Sequence, residues 1–464
     1  MTDFETNGST TGGETPSIAS RYNGAVVIIP TRNRPDLAIN AIRSVLRPST
    51  RDVQVLVSDN STEPQEMVQL ERFCEQLRDS RLRYIKPPQP LAMTAHWDWA
   101  IHQAFELYEA NHFIYLTDRM IFKTGEMKKL LRLAAHNPDK VIMYDHDRIA
   151  DDESPIRIDQ NPWTGKLFEI PSSRLLRLSS QMVLSPLPRM LNCIVPRCVL
   201  NDIEARFGNV FGSIAPDFNF CYRCLEIEAS VLYWDKYPIA HYGLQRSNGA
   251  SAAKGVTTRD SADFLAQLGK IKVNYAVPIP EITTVGNAII HEYCVIQQET
   301  GSPKFPELNR AKYLEYLARE TAQTQNPELR AQRLQVLKSH GWEEQDAQHS
   351  ERKIGGENLY QQARRGVNQD ESQEPAPTSP QGLSVSRLLN AVRWRYEKIR
   401  YLVDEKFGEP KHKPAWLFLR RYLGVRPPQN NGFVFDSVEQ AIAYMNRFPR
   451  PREATLHRKD FLVD

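Results

Sequence analysis

A chain of 464 residues exceeds one ordinary domain, so a main domain with appendages is expected. Hydrophobic residues make up 41% and charged residues 25%, and the net charge is +3, a globular balance without the basic excess of a nucleic-acid binder. No apolar run reaches the roughly 18 residues that a spanning helix needs.

The first twenty residues are polar, rich in Thr, Ser, Gly and Glu, and lack the apolar core of a signal peptide. A disordered tail over 1–22 and a cytoplasmic location follow as expectations. From Ala25 the pattern alternates strand and helix. Ala25 to Ile29 is a short, continuously apolar run ending at Pro30, as for a strand buried on both faces. Pro35 and Asp36 open a helix that runs to Leu46, since proline at a first helical turn loses no hydrogen bond. Val53–Val57 reads as a second strand, Pro64–Leu77 as a helix and Leu82–Ile85 as a third strand. Met93–Tyr108 is helical, His112–Leu116 a fourth strand, Gly125–Ala135 helical and Val141–Tyr144 a strand. Asp151 to Ser185 shows no regular period. Asn192–Val195 reads as a strand, Pro196–Arg206 and Asp217–Ala229 as helices, and Val231–Trp234 as a strand. Helices continue from about Arg259 to His340. Glu351–Ser384 is rich in Gln, Glu, Gly, Pro and Ser and reads as a linker. Leu388–Leu423 is basic and aromatic.

Alternating β and α units predict a mostly parallel sheet with helices on both faces. Ligands of such sheets sit beyond the strands' carboxyl ends. Pro30-Thr31-Arg32-Asn33-Arg34-Pro35 there brings together backbone N–H groups, a hydroxyl and two guanidinium groups, a plausible anion and ribose site or an ordinary turn. Ser58-Asp59-Asn60-Ser61 could accept from a nucleobase or ribose, or cap the next helix. Thr117-Asp118-Arg119-Met120 follows a core strand, where an ionised carboxylate needs a partner: a metal, Arg119 or a turn. Asp217 precedes a helix and could cap it or act as a general base. The polar Gln245–Ser251 segment with Arg246 and Ser247 could fold over phosphates or be an ordinary surface loop, and His241 before it, taken alone, reads as structural. Asp145-His146-Asp147 resembles a metal site in composition, but adjacent residues of an extended segment point in alternate directions. Cys193, Cys198, Cys221 and Cys224 only loosely imitate a zinc site. Small buried thiols are the plainer explanation.

Taken together, these clusters resemble the family 2 inverting glycosyltransferases of the GT-A fold, over Val26 to about Ser251. Val27-Ile28-Ile29-Pro30-Thr31-Arg32-Asn33-Arg34 resembles that family's first strand and nucleotide loop, and Val57-Ser58-Asp59-Asn60-Ser61 its base-contacting loop. Met93-Thr94-Ala95-His96-Trp97 resembles the family's helix start, where asparagine is usual in place of His96. Ala215-Pro216-Asp217 resembles the segment carrying the base. The resemblance implies displacement at an anomeric carbon with Asp217 as base. Pro30, Thr31, Arg32, Asn33, Arg34, Asp59, Ser61, His96, Asp118, Arg119, Arg246 and Ser247 would hold a nucleoside-diphosphate sugar, of UDP type.

The family's Asp-x-Asp element holds Mg²⁺ or Mn²⁺, but here the chain reads Asp118-Arg119-Met120, and a thioether is a poor ligand for a hard cation. Either Asp118 holds a metal with His241, or Arg119 itself neutralises the diphosphate. The organisation expected is a GT-A domain over 23–258, a helical extension over 259–345, a linker over 346–385 and a small basic, aromatic helical module over 386–464. That module could touch the inner face of a membrane or a protein partner. The acceptor would be a glycan or lipid-linked glycan in cell-surface glycan or polysaccharide synthesis. A catalytically inactive nucleotide-sugar or glycan-binding protein on the same scaffold is the competing reading.

Overall fold

The structure is a computed structural model and describes residues 24–47, 50–160, 163, 165–185, 187–246, 275–343 and 434–447. The expected tail over 1–22, the linker over 346–385, most of the module over 386–464 and the residues Ser247 to Ser251 lie outside the described residues.

Four strands form the centre: β1 (Ala25–Thr31), β2 (Val53–Asp59), β3 (Leu82–Ile85) and β4 (His112–Tyr115), in the order β4-β1-β2-β3, every neighbour parallel. The continuous apolar run of β1 has a simple cause, because its alternate side chains enter different cores. Val26 and Ile28 pack with Trp97, Ala100 and Ile101 of α3 (Met93–Leu107). Ala25, Val27 and Ile29 pack with Ala38, Ala41 and Ile42 of α1 (Pro35–Val45) and with Leu130 of α4 (Glu126–His136). Helices therefore cover both faces, and each fully buried aliphatic side chain contributes about 1.5–3 kcal/mol. Helix α2 (Pro64–Leu77) begins, like α1, with proline in its first turn.

Beyond β4 the sheet becomes mixed. It continues through β9 (Cys193–Pro196), β6 (Ile142–Ala150), β7 (Ile156–Asp159) and β11 (Val434–Phe435), each paired antiparallel to its neighbour. β10 (Ser230–His241) runs parallel to β6 and antiparallel to β5 (Met120–Phe122) and β8 (Leu167–Pro171). It is longer than the Val231–Trp234 segment expected. The register with β6 shifts between Trp234 and Ile239, where Asp235, Lys236 and Pro238 interrupt the apolar pattern. The Asp151–Ser185 stretch holds β7, β8 and α5 (Ser172–Ser180).

α6 (Arg197–Phe207) and α7 (Pro216–Ile227) complete the face shared with α3. The helical extension supplies α8 (Val285–Thr300), α9 (Arg310–Ala322) and α10 (Pro327–Ser339). Thr284, Asn309 and Asn326 accept backbone N–H groups at their respective N-termini, as good capping residues do. Ile290, Tyr293, Leu317 and Leu337 enter the same core as Val26 and Ile28, so the extension packs into the main core. α11 (Val438–Arg447) follows β11. Among the described residues no helix is long and apolar enough to cross a membrane.

Candidate active site

The parallel register places Thr31 opposite Asp59 at the carboxyl ends of β1 and β2, so the two loops that follow leave the sheet side by side. They are stitched together. Asn33 takes a left-handed φ of 54° and donates its N–H to Ser61 Oγ at 2.8 Å. Its side-chain oxygen accepts from Thr62 N at 2.8 Å and Glu63 N at 3.1 Å, at the start of α2. Asp59 Oδ1 accepts from Ser61 N at 2.9 Å and Oδ2 from the Tyr84 hydroxyl at 2.8 Å. Arg32 Nη1 donates to Leu91 O at 3.3 Å. Much of this cluster thus builds the loops themselves. His96 is buried and meets Ser58 Oγ through Nε2 at 2.7 Å. Burial, with the charge of Arg32 second, holds its pKa down to about 3, so it is a neutral pin between β2 and α3.

Asp118 emerges from β4 next to this pair of loops and is fully buried. Its Oδ2 accepts from Thr31 Oγ1 at 2.8 Å and forms an ion pair with Arg34 Nε at 2.8 Å. Arg34 Nη1 donates to Arg246 O at 3.0 Å, Arg246 Nη1 pairs with Asp36 Oδ1 at 3.0 Å, and Arg246 Nη2 reaches Asn33 O. The segment after β10 is thereby fastened across the first loop. Among the buried atoms on this rim that find no hydrogen-bond partner within the described residues are Thr117 Oγ1, Asp118 Oδ1 and His146 Nδ1. Unpaired buried polar atoms mark a place where a ligand can supply the missing bonds.

The charge beside Asp118 is positive. Arg119 Nη1 lies 2.8 Å from His241 Nε2, and the His146 and His241 rings meet edge to face at 5.6 Å between centroids. Burial, then Arg119, His146, Arg189 and Arg148, push the His241 pKa well below the ordinary value. A neutral His241 accepts from the guanidinium, so the Nε2 lone pair expected to bind a metal is already engaged. Among the described residues no group of three or more His, Cys, Asp or Glu could hold a metal ion. The donor set is one unpaired carboxylate oxygen beside a guanidinium, which does not fit a protein-held hard cation. The neighbouring Asp145-His146-Asp147 run does diverge. Asp145 accepts from the Tyr233 hydroxyl at 2.7 Å, Asp147 pairs with Lys123, and His146 turns to His241. The six cysteines are unpaired, and Cys198 is exposed while Cys193, Cys221 and Cys224 are buried.

Asp217 stands in the first turn of α7 behind Pro216, where the helix N-terminus favours a negative charge. Its side chain keeps 17% exposure, and Oδ2 lies 3.8 Å from Arg189 Nη1. Burial raises its pKa, while Arg189 and the Phe218 N–H pull it back. Arg189 also lies 5.2 Å over the Phe218 ring, and its charge bears on Asp145, His146 and His241. Neither Arg189 nor Tyr84 carries a local sequence signal that would have singled it out.

Residues 26–186 match the model of glycosyl transferase family 2. The matched stretch runs from β1 to beyond α5 and holds the loops after β1, β2 and β4 that build the site. Among solved structures, the chain is similar to S. aureus TarS 1–349 in complex with UDP-GlcNAc, at 14% identity and a TM-score of 0.37, covering 68% of this chain and 89% of that one. S. aureus TarS 1–349 in complex with UDP matches at 14% identity and a TM-score of 0.36, over 68% and 89%. Against a longer S. aureus TarS chain the values are 12% and 0.36, and this chain covers 50% of that one with 66% of its own length.

Proposed function

We propose that the protein transfers a sugar from a UDP-type nucleoside-diphosphate donor to an acceptor hydroxyl with inversion of configuration. Two observations carry this reading: Arg119, next to the buried Asp118, meets His241 at 2.8 Å, and Arg189 stands 3.8 Å from Asp217 with its charge also felt at His241. They set a proton acceptor beside one guanidinium group and the nucleotide-loop carboxylate beside the other. Asp217 takes the acceptor hydroxyl's proton as its oxygen attacks the anomeric carbon. The bond to the diphosphate breaks on the opposite face, and Arg119 meets the negative charge that develops there. Neutral His241 orients Arg119 through Nε2. Thr31, Arg34, Asp59 and Arg246 shape the nucleotide loop, with the backbone of Pro30, Arg32, Asn33 and Ser61. The acceptor is a glycan or lipid-linked glycan in cell-surface polysaccharide synthesis, handled on the cytoplasmic side of a membrane.

Arg119 supplying the charge makes a divalent cation dispensable. Calorimetric titration with UDP should give equal affinity in EDTA and in Mn²⁺. A loss of about tenfold or more in EDTA, roughly 1.4 kcal/mol, would restore the metal-bridged account.

The electrostatics of Asp217 give a second test, read as UDP release from a panel of UDP-sugars. Activity requires the ionised carboxylate. Arg189 lowers the Asp217 pKa against the effect of burial, so replacing it with an apolar residue of similar length, R189M, lets that pKa rise further. The acid limb of the rate profile should then move to higher pH, with activity lost first on the acid side. An unmoved limb would separate Arg189 from the base.

A further inference from the structure

The segment that carries Asp217 does not hold its own shape. Ser213 is a non-glycine residue with φ of 58°, a backbone conformation that persists only where its surroundings enforce it. Its carbonyl accepts from Thr94 Oγ1 at 2.9 Å, in the first turn of α3. The remaining grip comes from α8, in the helical extension. Glu292 is fully buried there, and its Oε1 accepts from Ile214 N at 3.1 Å and Ala215 N at 2.7 Å. Its Oε2 accepts from Asn219 Nδ2 at 2.9 Å, and Asn219 Oδ1 in turn accepts from Gly212 N at 3.0 Å. The adjacent His291 accepts the Ala276 N–H through Nδ1 at 2.9 Å. The proton of the neutral ring therefore sits on Nε2, 3.1 Å from Ser213 Oγ.

We propose that Glu292, seconded by His291, is a positioning residue for the reaction: α8 sets the 212–216 loop, and through it the direction in which Asp217 presents its carboxylate. The inference rests on Asp217 being the base. Every member of the loop from Gly212 to Ala215 is fixed by a bond that ends, directly or through one side chain, on Glu292, His291 or Thr94. A fully buried carboxylate is costly unless paired or fully hydrogen-bonded, and here three N–H donors meet it. Burial still leaves the Glu292 carboxyl raised to about 7. A cheaper residue would serve if only packing against α7 were needed. The extension is therefore part of the machinery that aims the base.

The test uses two variants of the full chain, with the unfolding midpoint recorded for each. E292Q keeps the side-chain shape and one oxygen for the two backbone amides, but turns an amino group toward the amino group of Asn219. Adding N219D reverses the direction of that bond and returns one negative charge to the same buried spot. In E292Q, compared at a pH above about 7 where the Glu292 carboxylate is ionised, the amides of 212–215 should exchange with solvent about tenfold faster, because hydrogen bonds to a charged oxygen become bonds to a neutral one. UDP affinity by calorimetry should stay unchanged, and kcat for UDP release from UDP-sugars should fall by about 100-fold, the scale of a small misplacement of a catalytic group. E292Q/N219D should recover both protection and kcat. Unchanged exchange in E292Q, altered exchange with unchanged kcat, or a folded double variant that recovers neither would overturn the proposal. A wild-type chain that releases UDP from no UDP-sugar sinks the proposed transfer instead, while the exchange of Ile214 and Ala215 still decides whether α8 holds the loop.

Discussion

Replacing Asp217 with asparagine should lower turnover by about 10²- to 10⁴-fold while leaving UDP affinity in place, the usual contribution of a general base. The substitution keeps size and shape, so the first turn of α7 and the stacking of Arg189 over Phe218 persist. What disappears is the capacity to take a proton. Among the described residues the ion pair of the Asp217 carboxylate is with Arg189, at 3.8 Å, and the contacts that shape the nucleotide loops are made by other side chains, so UDP binding should be kept. UDP release from UDP-sugars and calorimetry with UDP measure the two halves separately. Turnover that survives D217N places the base elsewhere. Absence of turnover in the parent chain, across the donor panel, favours a scaffold that binds sugar nucleotides without converting them.

Removal of the Asp118 carboxylate should be felt in both folding and binding. In D118A, Arg34 loses its ion pair and Thr31 its acceptor, and both groups stay largely out of water. Breaking a buried pair from one side costs about 3–5 kcal/mol, because the remaining charge is left uncompensated. The unfolding midpoint should drop well beyond that of a surface substitution. UDP affinity should fall too, since Arg34 also anchors Arg246 across the loop. An unchanged midpoint with unchanged affinity would show that Asp118 organises nothing. Replacing Thr31 with valine, by contrast, removes a single hydrogen bond to that carboxylate and leaves the ion pair in place, so it is the milder control.

The parallel centre was legible because its signals are local. The unbroken apolar run of Ala25–Ile29 stands out by its length, and Pro35 and Pro64 mark helix starts by the missing N–H. The clusters at the carboxyl ends of β1, β2 and β4 were legible for the same reason: polar residues directly after buried strands. Met120–Phe122 and Leu167–Pro171 were not, since these strands exist through pairing with β10 far along the chain, and the short Ile156–Asp159 strand lies between its neighbour β6 and the distant β11. In β10 itself, the Asp235-Lys236 pair breaks the pattern in mid-strand, so the expected element stopped at Trp234.

The site divides in the same way. Thr31, Arg34 and Asp118 meet in one cluster, and Arg119 meets His241 beside it. Asn33, Ser61 and His96 turn out to hold the loops, a distinction that depends on where each side chain points. Glu292 did have a signal. A carboxylate within the apolar Ile289–Ile296 run has to find donors, and the question of which donors leads to the Asp217 loop. Arg189 had none, because its neighbours arrive from β6, α7 and β10.

The pairing of β11 with β7 has a practical side. Val434 and Phe435 cover the outer edge of β7, and Phe435, Ala441 and Met445 share a cluster with Leu37, Ile121 and Tyr242 beneath the first nucleotide loop. Asn446 also accepts the backbone N–H of Thr124, more than three hundred positions earlier in the chain. A shortened version ending after the helical extension would strip this seam, leaving backbone groups open to a neighbouring molecule and an oily floor wet. Anyone trimming the protein for crystals should carry 434–447 along, or expect self-association.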